Sequence, residues 1–334
     1  MTNTPVPVRY SWQLLRAGAF RLDGGSMFGL IPRVVWSRSA PSDEKGRIQV
    51  QHNCLLLRPE YPAPAGQPSP PALFLIECGT GNKLDDKSRD IFAMENRSII
   101  DALADVAVAP EQIEGVAVTH LHFDHAGGLT RLCRAGESPD WVGPASTMAG
   151  ARPDHGVKRT FPNARVYVQQ REWDDAAADR SVMTRTYFRD HVAPIRDQVV
   201  RVDSPRAFAT GYVPGRDETP QSPVQFRETE IVPGISVFLV PGHTWGQQAI
   251  KFTDTRGRTV VYTPDVMPTA WHVGAAYNLG YDVEPYTSMI SRHWFLREAA
   301  ALGWTLCLDH EAGHPIFTVK DNGKGWYELA GQHD

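Results

Sequence analysis

The string His120-Leu121-His122-Phe123-Asp124-His125 packs four metal-binding side chains into six positions, and Ala126-Gly127-Gly128 follows it. An apolar, strand-like run, Gly115-Val116-Ala117-Val118-Thr119, leads into it. In an extended segment, residues two apart project to the same side. His120 and His122 can therefore both face one ion as the strand ends. Asp124 and His125 are adjacent, so they diverge and can serve a second ion nearby. The two glycines let the backbone turn tightly beside the ions. Imidazole plus carboxylate suits zinc, and iron, manganese and cobalt accept the same donors. Scattered polar loop residues are a poor account of three histidines and an aspartate placed this closely behind a strand.

The elements that must hold these groups can be read from apolar runs and turn residues. Strands are expected over Tyr10 to Leu22, Ile48 to Leu57, Ala72 to Cys78 and Arg165 to Gln169. Further strands are expected over Ile235 to Val240, Gln248 to Phe252, Thr259 to Thr263 and Trp304 to Leu308. Helical patterns cover Ile99 to Val106, Glu172 to Asp179, Met183 to Asp197 and Ser288 to Leu302. Pro59 to Pro71 reads as a stiff surface loop, and Ser204 to Pro223 as an irregular one. Asp23 to Pro32 reads as a glycine-rich loop that presents Met27 and Phe28. Those two either plug the core or border a cleft.

Composition sets the frame. The chain has 334 residues, with 42% hydrophobic and 22% charged, which is ordinary for a globular protein. A net charge of -4 gives no reason to expect nucleic acid or an anionic membrane as a partner. The four cysteines, Cys54, Cys78, Cys133 and Cys307, fit neither a zinc ribbon nor a C-x-x-C pair. Three of them lie in apolar runs and read as buried thiols. Met1 to Val8 has no basic start followed by an apolar core, and no apolar run is long enough to span a bilayer. A cytoplasmic protein with a small-molecule substrate is the expectation.

Three later strings complete the pattern. Pro241-Gly242-His243-Thr244, Val260 to Asp265 and Leu306-Cys307-Leu308-Asp309-His310 each end an apolar run, where α/β folds gather functional groups. With the H-x-H-x-D-H string they make the chain resemble the metallo-β-lactamase superfamily from about residue 10 to 320. The resemblance implies an α/β fold, the αββα sandwich of two mixed β-sheets flanked by helices. It implies one domain over residues 1–334, with an insert around 140–230 that forms a lid or a homodimer contact. His120, His122 and His243 would hold one divalent ion, and Asp124, His125 and His310 the other, with Asp265 bridging. Glu77, in Glu77-Cys78-Gly79-Thr80-Gly81, stands where the family usually has Asp and would support the ligands from behind.

Two such ions can share one water and lower its pKa towards neutrality, which supplies hydroxide without a protein nucleophile. Asp124 is placed to accept or pass on the proton. No G-x-S-x-G string points to a covalent route. Within the superfamily the pattern is most similar to quorum-quenching lactonases, which implies opening of a lactone such as an N-acyl homoserine lactone. Those enzymes place a tyrosine three residues after the bridging aspartate, where this chain has Pro268. His272 or Tyr187 could take its place, with Trp271, Met27 and Phe28 as further substrate contacts. The alternatives are phosphotriester or aryl-ester hydrolysis, as in the methyl-parathion hydrolases, and a metal-binding scaffold without turnover. His52, His155, His191, His293, His314 and His333 have no motif around them and read as structural or exposed.

Overall fold

Two long apolar runs start the architecture. β1 (Tyr10–Asp23) pairs antiparallel with β2 (Arg47–Pro59), with one bulge between Arg16 and Ala19. β3 (Phe74–Ile76) follows on β2, and β4 (Gly115–Ala117) lies parallel to β3. β5 (Thr130–Leu132), β6 (Trp141–Gly143) and β7 (His155–Arg159) form a small separate sheet with β7 in the middle. β8 (Arg165–Gln169) and β9 (Val199–Val202) then complete the first sheet in the order β1-β2-β3-β4-β8-β9. The second sheet runs in chain order: β10 (Thr229–Val232), β11 (Ile235–Leu239), β12 (Gln248–Thr253), β13 (Thr259–Thr263), β14 (Thr305–Leu308), β15 (Ile316–Asp321) and β16 (Tyr327–Gly331). The computed structural model describes residues 8–60, 68–143, 155–178 and 186–331, so His333 and parts of 140–230 lie outside the described residues.

The helices are α1 (Gly24–Phe28), α2 (Arg33–Trp36), α3 (Asp86–Ile91), α4 (Ile99–Ala104), α5 (Phe123–Ala126), α6 (Gln170–Ala177), α7 (Arg189–Val192) and α8 (Pro285–Leu302). β13 and β14 are parallel, so the chain must cross over between them, and α8 is that crossover. Pro285 opens it, where a missing N–H costs nothing, and Gly303 closes it in the left-handed region.

Strand alternation makes the layers. Leu55, Leu57 and Ile76 of the first sheet meet Val237, Ile250 and Tyr262 of the second. The intervening Cys54, Leu56 and Leu75 face outward onto Ile99 and Leu103 of α4. Phe238, Val261 and Leu306 face outward onto Trp294 and Phe295 of α8. The result is the αββα sandwich the sequence implied. A polar seam crosses between the sheets. Asn53 Nδ2 donates to Leu308 O and Glu311 O, each at 2.9 Å, and Asn53 N donates to Asp309 O at 3.0 Å. Tyr262 O–H donates to Asn53 O, and Gln51 N to His310 O at 3.2 Å.

Several expectations need correction. The stretch expected as an insert supplies β8 and β9 to the first sheet, so that part is frame rather than appendage. The expected helix over Met183 to Asp197 begins outside the described residues, and its described part is only α7 followed by a 3-10 turn at Ala193–Ile195. Pro194 explains the break, since its ring and missing N–H oppose an α-helix interior. Asp23 to Pro32 is not all loop, because Asp23 Oδ1 accepts from Ser26 N at 2.7 Å and caps α1. The β15–β16 hairpin was not foreseen. Among the described residues no helix is long and apolar enough to cross a membrane.

The start of α8 presses on the loop after β11. Gly242 has φ +138°, and a Cβ there would stand 2.3 Å from Ser288 N. Gly242→Ala combines backbone strain with overpacking, so urea unfolding should show a loss of about 2 kcal/mol or more.

Candidate metal centre

Beyond β4 the chain stays extended, and His122 has φ −61°, ψ 158° just before α5. Alternation therefore puts His120 and His122 on one side, their rings 4.5 Å apart. α5 then turns Asp124 and His125 in beside them. The glycines that follow serve close approach rather than unusual dihedrals. A Cβ on Gly127 would meet Thr80 O at 2.1 Å, and one on Gly128 would meet Cys78 O at 2.0 Å. Lys83, fully buried, donates to Gly127 O and to Thr130 O and pins the same turn.

The loop after β11 brings in His243, the end of β13 brings in Asp265, and the end of β14 brings in His310. His120, His122 and His243 offer ligand atoms that all lie within 4.8 Å of one another. His122 Nδ1 is 3.0 Å from His243 Nε2. His120 Nε2 is buried with no hydrogen-bond partner. On the other side, His125 Nε2 is 3.3 Å from His310 Nε2. Asp124 Oδ1 and Oδ2 lie 3.8 and 3.7 Å from those two nitrogens. Asp265 stands between the groups, with Oδ2 at 3.3 Å from His243 Nε2 and Oδ1 at 3.4 Å from His310 Nε2. The seven residues expected as ligands are thus brought together, and every one is buried.

Asp309 also joins His125, Asp265 and His310 in a group of ligand-type atoms within 4.8 Å. Its Oδ2, however, lies 2.9 Å from His125 Nδ1, on the far side of the ring from Asp124 and Asp265. We therefore place Asp309 as the carboxylate that orients His125, with Asp124 on the ion-facing side. Asp282 does the same for His243, accepting from Nδ1 at 2.9 Å, and Gln51 O contacts His310 Nδ1 at 2.9 Å. Thr119 Oγ1 is 3.0 Å from His120 Nδ1. Neither Asp282 nor Asp309 was singled out from sequence, although Asp309 adjoins His310.

Lone pairs of imidazole and carboxylate facing each other without a hydrogen between them repel, so this donor set fits cations and little else. The electrostatics agree. Burial and the neighbouring histidines hold His120 and His122 well below the usual range. Burial also opposes charge on His125, but Asp309, Asp124, Asp265 and Glu77 outweigh it and push that ring up. Burial opposes the charge on Asp265, yet His310, His125 and His243 pull its carboxyl down.

Two carboxylates brace the loops. Glu77, at φ 64°, accepts from Thr119 N at 2.5 Å and stands 3.6 Å from His125 Nδ1. Burial first, opposed by His125, raises its pKa. Glu172 of α6 is fully buried. It accepts from Leu121 N at 2.9 Å, Tyr187 O–H at 2.9 Å and Thr244 O–H at 2.6 Å. One carboxylate thus ties the His120–His122 segment to the His243 loop. Nothing in the sequence singled Glu172 out.

The expected substrate contacts mostly serve elsewhere. Met27 and Phe28 are each 1% exposed and pack with Phe20, Trp36 and Leu279, so they plug the core. Tyr187 spends its hydroxyl on Glu172. His272 is fully buried, with Nε2 2.7 Å from Met27 O and Nδ1 2.8 Å from Thr269 Oγ1. Neither nitrogen is left for a ligand, and the ring latches α1 to the segment after Asp265. Trp271 is partly buried against the same cluster. Pro268 offers only its backbone, accepting from His310 N at 2.9 Å. His52 is a core histidine, stacked on Phe20 at 4.1 Å.

Residues 50–270 match the metallo-beta-lactamase superfamily. That span ends before His310, whose strand the structure sets beside β13. A probable metal-dependent hydrolase from Staphylococcus aureus is 23% identical with a TM-score of 0.70, over 98% of this chain and 100% of that one. The hydrolase AbOPH of the beta-lactamase superfamily is 18% identical with a TM-score of 0.64, over 98% of each chain. The dizinc quorum-quenching lactonase AidC, solved with N-hexanoyl-L-homoserine as product, is 14% identical with a TM-score of 0.65, over 99% of this chain and 97% of that one. A search of the curated proteins finds no match.

Removing the Glu172 side chain leaves three donors unsatisfied. Glu172→Ala should weaken metal retention about 10–100-fold in competition with a chelator. His272 tests the latch. Burial, with Arg292 adding and the Met27 bond opposing, pushes its pKa from 6.5 down to about 4. The unfolded chain takes up that proton first, so the contribution is complete above about pH 6.5 and is lost as pH falls through the window down to about 4. Between pH 7 and 4.5 the parent should therefore lose roughly 2–3 kcal/mol more than a His272→Gln variant in urea unfolding.

Proposed function

The chain belongs to the metallo-beta-lactamase superfamily, and on that premise we propose that it is a two-metal hydrolase of ester bonds, with lactones such as N-acyl homoserine lactones as the first substrate class. The observation that carries this reading is Asp265, whose two oxygens reach His243 and His310 at 3.3 and 3.4 Å and so serve both donor groups at once. When bound, two divalent ions would acidify a water held between them and polarise the oxygen of the bond under attack. Zinc is the first choice for this set, with iron, manganese and cobalt accepting the same donors.

The chain's own residues do the rest. Asp309 and Asp282 fix the tautomers of His125 and His243 by engaging Nδ1. Asp124 presents a carboxylate at the face of the centre, 8% exposed, where it takes the proton from the attacking water and returns it to the departing oxygen. No thiol competes as nucleophile among the buried cysteines, because burial pushes Cys54, Cys78 and Cys307 up. Phe123 follows His122 directly and stacks on Phe188 at 5.6 Å. That partly exposed pair favours aryl esters or aryl phosphotriesters as a second class.

Proton release from acyl-homoserine, γ- and δ-lactones, beside aryl acetates and an aryl phosphotriester, tests the reading. Chelator should abolish turnover and added zinc restore it, while Asp265→Ala should cost at least about 100-fold in kcat and lose bound metal. Asp265→Ala with both metals and near-parental turnover would sink the two-metal reading. A chelator that changes only Tm in a protein inert on every substrate would favour the scaffold.

A further inference from the structure

A cavity of about 300 Å³ opens between the start of α4, the turn at Gly81 and Asn82, and the segment from Arg131 to Arg134. None of the residues lining it belongs to the two groups of metal-binding side chains. Four arginines, Arg89, Arg97, Arg131 and Arg134, line it beside one acid, Asp101, in a chain whose net charge is -4. That acid is spent on the start of α4, where its Oδ2 accepts from Ser98 N and Ser98 Oγ, each at 2.8 Å.

Two of the guanidiniums are fixed in place. Arg131, 9% exposed, forms a bidentate pair with Glu137 at 2.6 and 2.7 Å. Arg97 donates from Nε to Arg16 O at 2.8 Å and pairs with Asp105. Neither pairing uses all five N–H donors of its fork. The other two are loosely held. Arg89 makes only long contacts, from Nη2 to Glu95 O at 3.5 Å and to Asn96 Oδ1 at 3.3 Å. Arg134 engages Glu137 through its backbone N at 2.8 Å, and its side chain has no hydrogen bond or ion pair among the described residues. With Glu137 and Asp105 counted, the surroundings keep an excess of positive charge.

The uncharged groups are donors as well. Asn82 Oδ1 accepts from Leu132 N at 3.2 Å, so its amide nitrogen is the end left over. The floor continues as a narrow crevice lined by Thr160, 2% exposed, whose Oγ1 is buried without a hydrogen-bond partner. Lys83 donates to the carbonyl of Thr130, another residue of that crevice, and adds a buried positive charge.

Guanidinium forks and an amide gathered round one cavity suit a ligand with more than one negative charge and acceptors on several sides. A carboxylate offers two oxygens and a single charge, whereas a phosphomonoester offers three oxygens and a charge of about -1.5 to -2. We infer that this cavity is a binding site for the phosphate group of a small molecule, separate from the metal centre. Arg131 and Arg97 are its fixed donors, and Arg89 and Arg134 are the arginines that close onto the ligand. The assignment stands independently of the reaction at the metals.

The test uses the metal-loaded full chain at constant ionic strength. Inorganic phosphate, pyrophosphate and a sugar monophosphate are the probes, with sodium chloride and succinate as controls. A phosphate probe at about ten times its Kd should raise Tm by roughly 2–3 °C. In calorimetric titration, the variant carrying both Arg89→Gln and Arg134→Gln should bind that probe about tenfold more weakly. Arg134→Gln alone, an exposed single change that guards against a double variant failing to fold, should bind it about threefold more weakly. Inorganic phosphate binding as tightly as the ester supports the site and names the free ion as occupant. Tighter binding of the sugar monophosphate supports it and names a phosphorylated metabolite. Succinate binding as tightly as phosphate overturns the assignment, as does a parent that responds to no phosphate probe. A response equal in the parent and in Arg134→Gln also overturns it and places the anion on the metals instead.

Discussion

The constraint on which the structure turns is the burial of a crowded set of imidazoles and carboxylates. Five imidazoles and two carboxylates crowd one buried space, four of the rings and both carboxylates facing one another across gaps of 3.0–3.8 Å. His120 and His122 are held neutral against the other rings, and His120 Nε2 is buried without a hydrogen-bond partner, so the protein must hold these groups together until cations arrive. That is why the neighbourhood is over-braced. Asp309, Asp282 and Gln51 O fix three of the rings from behind. Glu77 and Glu172 hold backbone amides of the ligand segments, and Lys83 and Arg292 clamp carbonyls of the turns that follow them.

The bracing also decides which aromatic and polar groups are free. A tyrosine or histidine beside the centre is used first for holding. His272 and Tyr187 are spent this way, and Met27 and Phe28 fill the cluster over which the latch closes.

Much of the sandwich was legible because its signals are local. Long apolar runs gave β1, β2 and β11 to β14, and the metal-binding residues stood in short strings at strand ends. The bracing residues were not legible for the opposite reason. Glu172 is one of several acids in a helical pattern and Asp282 stands in a segment with no pattern, and only tertiary folding sets them against Leu121 N and His243. Met27 and Phe28 looked exposed because glycines surround them, yet Trp36 and Leu279 arrive from elsewhere to cover them. The Met183 to Asp197 pattern had helical spacing but contained Pro194. β8 was read as a strand, but β9 was hidden in the stretch that resembled an insert.

The seam joining Gln51 and Asn53 to residues 308–311 has a consequence for how the molecule is made. β2 is completed early in synthesis, but Asn53 cannot satisfy its amide until Leu308 and Glu311 exist, and one metal group lacks His310 until the same moment. The contacts that close the centre span more than 250 residues of sequence, and such distant pairings form late because their loop-closure entropy must be met first. The group of His120, His122 and His243 is therefore complete in the chain before the strand that brings His310 to the other group, so the two halves of the centre are finished in a fixed order.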